Sequence, residues 1–253
     1  MKIALLIPST SKGREWKTAR DTYLLTYTMK TFGITHDKEH EYRFYIGIDR
    51  GDPVYDNREI QQYLERFSAI LNNTTIEFIY MDGIEKGHLT VMWNRLFTKA
   101  YDAGYDYFFQ CGDDISFETA GWVNACISAL KTSNNIGMTG PLNNNARILT
   151  QSFVSRRHMD LFGVYFPEEI INWCCDDWIN EVYQILGTFY PLRDFSCINV
   201  GGEPRYNINN DVRFRNQFQQ SLNLLRKRSS IIAKKYAANA AEKLKTISQN
   251  KPI

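Results

Sequence analysis

The chain has 253 residues, 43% of them hydrophobic, with 30 Lys and Arg against 28 Asp and Glu. That is enough apolar material for a packed core rather than a disordered polymer, and no apolar run reaches the roughly 20 residues of a bilayer span. Five cysteines without a CxxC pair argue against a zinc or disulfide framework.

The net charge of +2 is unevenly placed. Ten of the thirty bases but one of the twenty-eight acids lie after Asp211, which leaves the body of the chain at −7. The basic residues of the body are scattered and form no nucleic-acid groove, so no nucleic-acid partner is expected. The division implied is a body over 1–212 and a basic amphipathic extension over 213–253.

Taken in order, Ile3–Ile7 is a continuous apolar run, the pattern of a strand buried on both faces of a parallel sheet. With Met1 and Lys2 it is too short for a secretory apolar region of ~7–15 residues, which places the start of the chain in a cytosol. The polar loop Pro8-Ser9-Thr10 follows at the strand's carboxyl end, where open α/β sheets bind ligands. It reads either as a nucleotide-facing loop or as an ordinary turn.

A helix is predicted over Trp16–Phe32, a strand over Tyr42–Asp49 and an amphipathic helix over Asp56–Leu71. A strand over Thr75–Met81 and a helix from Leu89 to Gly104 come next. The aromatic strand 105–111 then runs into Gly112-Asp113-Asp114. Two carboxylates after so apolar a strand are costly to bury without compensation, and hard divalent cations supply it. The alternative is a surface turn, for which Gly-Asp-Asp is good chemistry. The order β-α-β-α-β-α-β predicts a mostly parallel mixed sheet between helices.

Further on, Trp122–Leu130 reads as a helix, Asn135–Pro141 and Thr150–Ser155 as strands, and His158–Phe162 as a helical turn. A helix over Asp177–Leu186 has Asp176 or Asp177 near its N-cap. Thr188–Pro191 and Ser196–Val200 read as two strand-like pieces. From Asn216 to about Ser248 a long helix carries Phe218, Leu222, Leu225, Ile232, Tyr236, Ala240, Leu244 and Ile247 at steps of three and four. Its basic residues form a solvated face or a surface that docks on an anionic membrane or a partner.

Phe108-Phe-Gln-Cys-Gly-Asp-Asp-Ile115, Phe153-Val-Ser-Arg-Arg-His158, and Phe166-Pro-Glu-Glu-Ile170 through Cys175-Asp-Asp-Trp178 occur in this order. In that order the chain resembles the GT-A glycosyltransferases over about residues 1–205, and is most similar to the small glycosyltransferases of large algal DNA viruses. The resemblance implies the GT-A (Rossmann-like) α/β fold and transfer of a sugar from a nucleoside diphosphate to a glycan or glycoprotein. UDP is the favoured nucleotide and inversion the favoured outcome.

It further implies that Asp114 contacts Mn2+ or Mg2+ as the second acid of an Asp-x-Asp motif. Gly112 replaces the first acid, and Asp113 takes over part of its role. Asp49 would hold the nucleotide's base or ribose, Pro8, Ser9 and Thr10 would line the nucleotide, and Arg95 would approach it. Asp176 or Asp177, with Asp177 preferred, would be the general base, and Arg205 would approach the diphosphate. The family's late histidine ligand has no counterpart, because no histidine follows His158. The competing readings are a nucleotidyltransferase that makes sugar nucleotides and an inactive carbohydrate-binding relic. An RNA polymerase built on Gly-Asp-Asp would need further motifs and basic channels that the chain lacks.

Overall fold

The computed structural model describes residues 1–71, 73–85, 87–201 and 212–249. β1 (Lys2–Pro8), β2 (Glu41–Ile48), β3 (Thr74–Tyr80) and β4 (Tyr107–Gln110) form the parallel half of the sheet, with β1 between β2 and β4. Four further strands complete it: β5 (Ile115–Phe117), β6 (Met138–Leu142), β7 (Ser152–Ser155) and β8 (Phe189–Asn199). β7 runs antiparallel to β4 and β6, β6 runs parallel to β8, and β5 runs antiparallel to β8. Among the described residues the strands form one eight-stranded sheet in the order β3-β2-β1-β4-β7-β6-β8-β5.

The sheet is buried on both faces, and β1 shows why its sequence is apolar throughout. Ile3, Leu5 and Ile7 enter one core and Ala4 and Leu6 enter the other, the two-residue alternation of a strand. The first core is closed by α1 (Lys30–Thr35), α2 (Arg58–Ala69) and α4 (Trp122–Lys131), through residues such as Phe32, Leu64 and Trp122. The second is closed by α3 (Leu89–Asp102), α5 (Arg157–Phe162), α6 (Cys175–Ile185) and α7 (Val212–Gln249). All five cysteines are buried and free, as small apolar side chains.

Three segments depart from the sequence reading. The helix expected over Trp16–Phe32 begins as a short 3-10 turn at Ala19–Asp21, becomes a π-helical turn at Leu24–Met29 and is α-helical only from Lys30. Threonine hydroxyls line the segment. Thr26, Thr31 and Thr35 return their hydroxyls to carbonyls four residues back. Thr28 and Thr31 also accept the backbone N–H groups of Ile115 and Phe117, at 3.0 and 2.9 Å. Local widening of a helix turn is frequent near functional sites, and here it holds the strand that follows Asp114.

The two pieces expected around 188–191 and 196–200 are one strand, β8, whose pairing with β6 slips at Pro141/Leu142. In α7 the seam against the body is lined by small residues, Ser229, Ala233, Ala237 and Ala240, each buried to within 1%. Ile232, Tyr236 and Leu244 flank the seam, whereas Leu225 is exposed. Small side chains let two helices approach closely, and the Ser229 hydroxyl donates to the Cys174 carbonyl across the gap. Lys243 donates to the carbonyl of Leu161 at 2.8 Å, tying the far end of α7 to α5. Phe218 and Ile247 lie outside the residues whose side chains are described.

Candidate active site

The carboxyl ends of β1, β2 and β4 meet at one edge of the parallel half, which is where ligands enter such sheets. The loops after β1 and β2 are joined by Asp52. Its carboxylate accepts the Ser11 hydroxyl at 2.6 Å, the Ser11 amide at 2.8 Å and the Thr10 hydroxyl at 3.1 Å. It also accepts the amides of Val54 and Tyr55. Burial acts to raise this carboxyl, but hydrogen bonds led by Ser11 outweigh it and hold it below the ordinary range. Asp52 was not singled out in the sequence, because three acids crowd Asp49–Asp56 and only the fold shows which one turns inward. Asp49 stands exposed at the rim. Thr10 is thus committed to the loop scaffold. Ser9 is buried beside it, and its hydroxyl has no hydrogen-bond partner among the described residues.

Beyond β4, Asp113 is 1% exposed and Asp114 is half-buried. The backbone of Asp114 is fixed by Val200, whose amide donates to its carbonyl at 2.9 Å. Its carboxylate lies between two glycines. A Cβ at Gly112 would stand 2.5 Å from Asp114 Oδ1, and one at Gly201 would stand 1.7 Å from Oδ2. No side chain fits at either place with the carboxylate where it is. Arg14 reaches the same spot. Its guanidinium lies 3.4 Å from the Gly201 carbonyl, over the rings of Tyr23 at 5.0 Å and Trp16 at 5.7 Å. Arg14 went unnoticed in the sequence because nothing local links a loop cation to a glycine 187 positions away.

The second acidic pair opens α6. Its N-cap is Cys174, in the left-handed conformation at φ 70°, and both Asp176 and Asp177 lie in the first turn rather than at the cap. Left-handed backbone at a non-glycine residue is strained and gathers at functional sites. Asp177 pairs with Arg147, and Arg226 of α7 stands 3.8 Å away. Burial, and then the neighbouring Asp177, push the Asp176 carboxyl up to about 7.

The two acidic pairs belong to one end of the molecule. Asn144 bonds both backbone groups of Asn199, two residues before Gly201, while Arg147 of the same loop holds Asp177. Leu149 closes the loop by exchanging two hydrogen bonds with Asn180 of α6. Underneath, Gln110 accepts from Ser152, Ser152 bonds Tyr165, and Tyr165 feels the charge of Asp176. Among the described residues no three or more His, Cys, Asp or Glu side chains form a closed cation cage. A divalent ion held by one or two carboxylates and completed by substrate phosphates needs no such cage, and the Asp113–Asp114 turn, with its cradled carboxylate, fits that type.

Arg95 and the three polar residues of the Arg156-Arg157-His158 segment have structural partners. Arg95 donates to the carbonyls of Tyr80 and Asp82 at the end of β3, three strands from β4. Arg156 donates to the carbonyls of Tyr101 and Tyr105, and Arg157 pairs with Asp160. His158 is buried between the Tyr183 hydroxyl and the Tyr165 carbonyl, and burial drives its pKa down to about 4. Trp178 is wholly buried, whereas Trp173 is 38% exposed. Arg205 lies outside the described residues.

No family model and no curated protein matches the chain. Its fold does match solved structures of TarS from S. aureus. Against TarS 1–349 in complex with UDP-GlcNAc the TM-score is 0.52 at 12% identity, over 80% of this chain and 60% of that one. Against the same piece in complex with UDP it is 0.51 at 11% identity, over 78% and 60%. The longer TarS crystal structure gives the same score, with 36% of its length covered. The chain therefore spans 36–60% of the length of these neighbours, less than two thirds. At such identity the likeness establishes the architecture: a GT-A-type mixed sheet with flanking helices and a C-terminal helix.

Proposed function

We propose that the protein is a metal-dependent glycosyltransferase that moves a sugar from a nucleoside diphosphate, UDP, to a hydroxyl of a glycan or glycoprotein with inversion. The observation that carries this is the Asp114 carboxylate, cradled by Gly112 and Gly201 at the carboxyl end of the parallel strands. The architecture supports it, since it is shared with a protein solved with UDP and with UDP-GlcNAc. The narrower likeness to algal viral enzymes rests on the sequence motifs alone.

Asp114, with Asp113 behind it, would hold Mn2+ or Mg2+. Bound there, the ion would offset the negative charge that grows on the leaving diphosphate. Arg14, held over two aromatic rings, adds a fixed positive charge on the same side. The rim carboxylate of Asp49 is exposed to the nucleoside, whereas the Ser9 hydroxyl is buried within the loop scaffold.

On the acceptor side Asp176 is better suited than Asp177 to act as the base. Its carboxyl titrates near neutrality, where a base is most effective, while Asp177 is engaged by Arg147. The acceptor oxygen attacks the anomeric carbon, the bond to the diphosphate oxygen breaks, and the acceptor proton passes to Asp176. Arg147 and Asp177 keep that carboxylate in register with the loop joining the two acidic pairs.

Calorimetric titration of UDP with and without Mn2+ tests the donor site. Metal should strengthen binding, and Asp114→Ala should remove the metal dependence. Equal affinity with and without metal would overturn the site. Assays across a panel of UDP-sugars then separate a transferase from a binding relic, and incubation with a sugar 1-phosphate and UTP exposes a nucleotidyltransferase.

A further inference from the structure

The seam of α7 is sealed against the body, but its opposite side is not covered by any described residue. Leu224 is 69% and Ile231 61% exposed. Lys227, Arg228, Lys234 and Lys235 are exposed with them. Leu224, Arg228, Ile231 and Lys235 follow one another at steps of four, three and four, so they form a single stripe along the helix. Lys227 and Lys234 border it. Between Val212 and Ala241 the sequence contains seven bases and no acid. The acids that approach α7 do so elsewhere: Asp177 faces Arg226, and Glu181 accepts the Ser230 hydroxyl at 2.6 Å. From Leu224 to Lys235 the outer stripe is therefore apolar and cationic, and the one acid of the helix, the exposed Glu242, lies two turns beyond Lys235 on the same side. Ile171 and Trp173, at 59% and 38% exposure, add apolar surface next to Cys174, which receives the Ser229 hydroxyl.

We infer that the outer face of α7 docks on an anionic lipid bilayer, lying in the headgroup plane with Leu224 and Ile231 inserted and the four cations among the lipid phosphates. The chemistry is that of an interfacial helix, in which apolar burial and attraction to anionic lipid add together. Each cation near such a surface strengthens partitioning by roughly five-fold. Two apolar side chains alone give weak adsorption, so binding depends on anionic lipid and on low salt. Arg226 stands 3.8 Å from Asp177, and a helix is about 10–12 Å across with its side chains. Docking in this way brings the α6 acidic pair to about one helix diameter above the lipid. That last placement bears on the transferase reading; the docking itself does not depend on it.

Flotation of the full chain with vesicles of phosphatidylcholine, with and without phosphatidylglycerol, tests the surface. The chain should float only with the anionic vesicles, and less so in high salt. Reversing Lys227, Arg228, Lys234 and Lys235 to Glu should lower partitioning by at least a hundred-fold, with an unchanged thermal melt showing that α7 still packs. Leu224→Ser with Ile231→Ser should weaken binding while leaving its salt dependence. Flotation of the charge-reversed chain at the wild-type level, or no wild-type flotation with anionic vesicles, overturns the inference. Binding of a labelled oligonucleotide through the same four residues without flotation assigns the face to another polyanion and equally overturns it. A chain that floats but transfers no sugar keeps the surface and loses the reaction.

Discussion

Replacing Gly201 by Ala isolates the cradle around Asp114 from the acid itself. The new methyl carbon would lie 1.7 Å from Asp114 Oδ2, 2.6 Å from Cγ and 2.9 Å from Cβ. Ordinary contact begins at 3.4 Å, so the carboxylate must move by roughly 1.7 Å to regain a van der Waals distance. Because Cβ is also too close, turning the carboxylate alone does not suffice, and the side chain must leave its rotamer or the backbone must shift. An off-rotamer side chain costs about 0.5–1.5 kcal/mol, which in a chain of this size lowers Tm by only a few degrees. Ligand distances around a cation, in contrast, tolerate only about 0.2 Å. The variant should therefore fold while its metal-dependent UDP affinity falls on the order of 10–100-fold, the loss usual when groups supporting a metal ligand are disturbed. Gly112→Ala meets only the Oδ1 end, at 2.5 Å, and should give a smaller loss in the same direction. Calorimetry of UDP with and without Mn2+, together with a thermal melt, measures both quantities. A folded Gly201→Ala protein that keeps its metal-dependent affinity within about two-fold would refute the assignment of Asp114 as the ligand.

Asp176→Asn should lower transfer by about 10²–10⁴-fold while leaving metal-dependent UDP binding intact, and the wild-type kcat/KM should rise to a plateau as pH climbs through about 7. The same carboxyl affects stability: its folded pKa lies above the ordinary 3.8, so the unfolded chain loses the proton first and stability falls as pH rises from near 4 to near 7. The Asn variant escapes this, and its Tm should gain on the wild type across that window; parallel Tm curves would contradict the assignment. Ala237→Leu, at a seam position only 1% exposed, should cost about 1–3 kcal/mol through overpacking, read as a lower midpoint in thermal unfolding. No change would mean that the alanine seam is not the contact that seats α7.

The parallel half of the fold was legible because its signal is local. Ile3–Ile7, Tyr42–Ile48 and Tyr107–Gln110 are apolar runs bounded by turn residues, and such runs read as strands buried on both faces. The acidic pair after β4 stood out for the same reason, as charge following an apolar strand. What escaped depends on partners remote in sequence. Apolar spacing over residues 16–32 gives a helix but not its widening, which arises where Thr28 and Thr31 serve the amides of Ile115 and Phe117. Asp49 and Asp52 are equivalent in composition, and only the approach of Ser11 makes Asp52 the anchor. The ion pair that distinguishes Asp177 from Asp176 is made with Arg147, thirty residues away, and is equally invisible in the sequence. In α7 the predicted Ile232, Tyr236, Ala240 and Leu244 do face the body, but the wholly buried Ser229, Ala233 and Ala237 between them carry no apolar-spacing signal.

The threonine hydroxyls beside β5 bear on how the protein behaves at high concentration. β5 is the last strand of the sheet, and a bare last strand offers unpaired amides on which a strand of another molecule can add. Here the amides of Ile115 and Phe117 already donate to Thr28 and Thr31, so that border has no free donors at these positions. At the opposite border, β3 carries Glu77, bonded to Arg43 and close to Lys99, and charge on a border strand discourages the same addition. The β5 border is thus occupied at these positions by side-chain hydroxyls, and the β3 border carries a charged group, each an obstacle to strand addition.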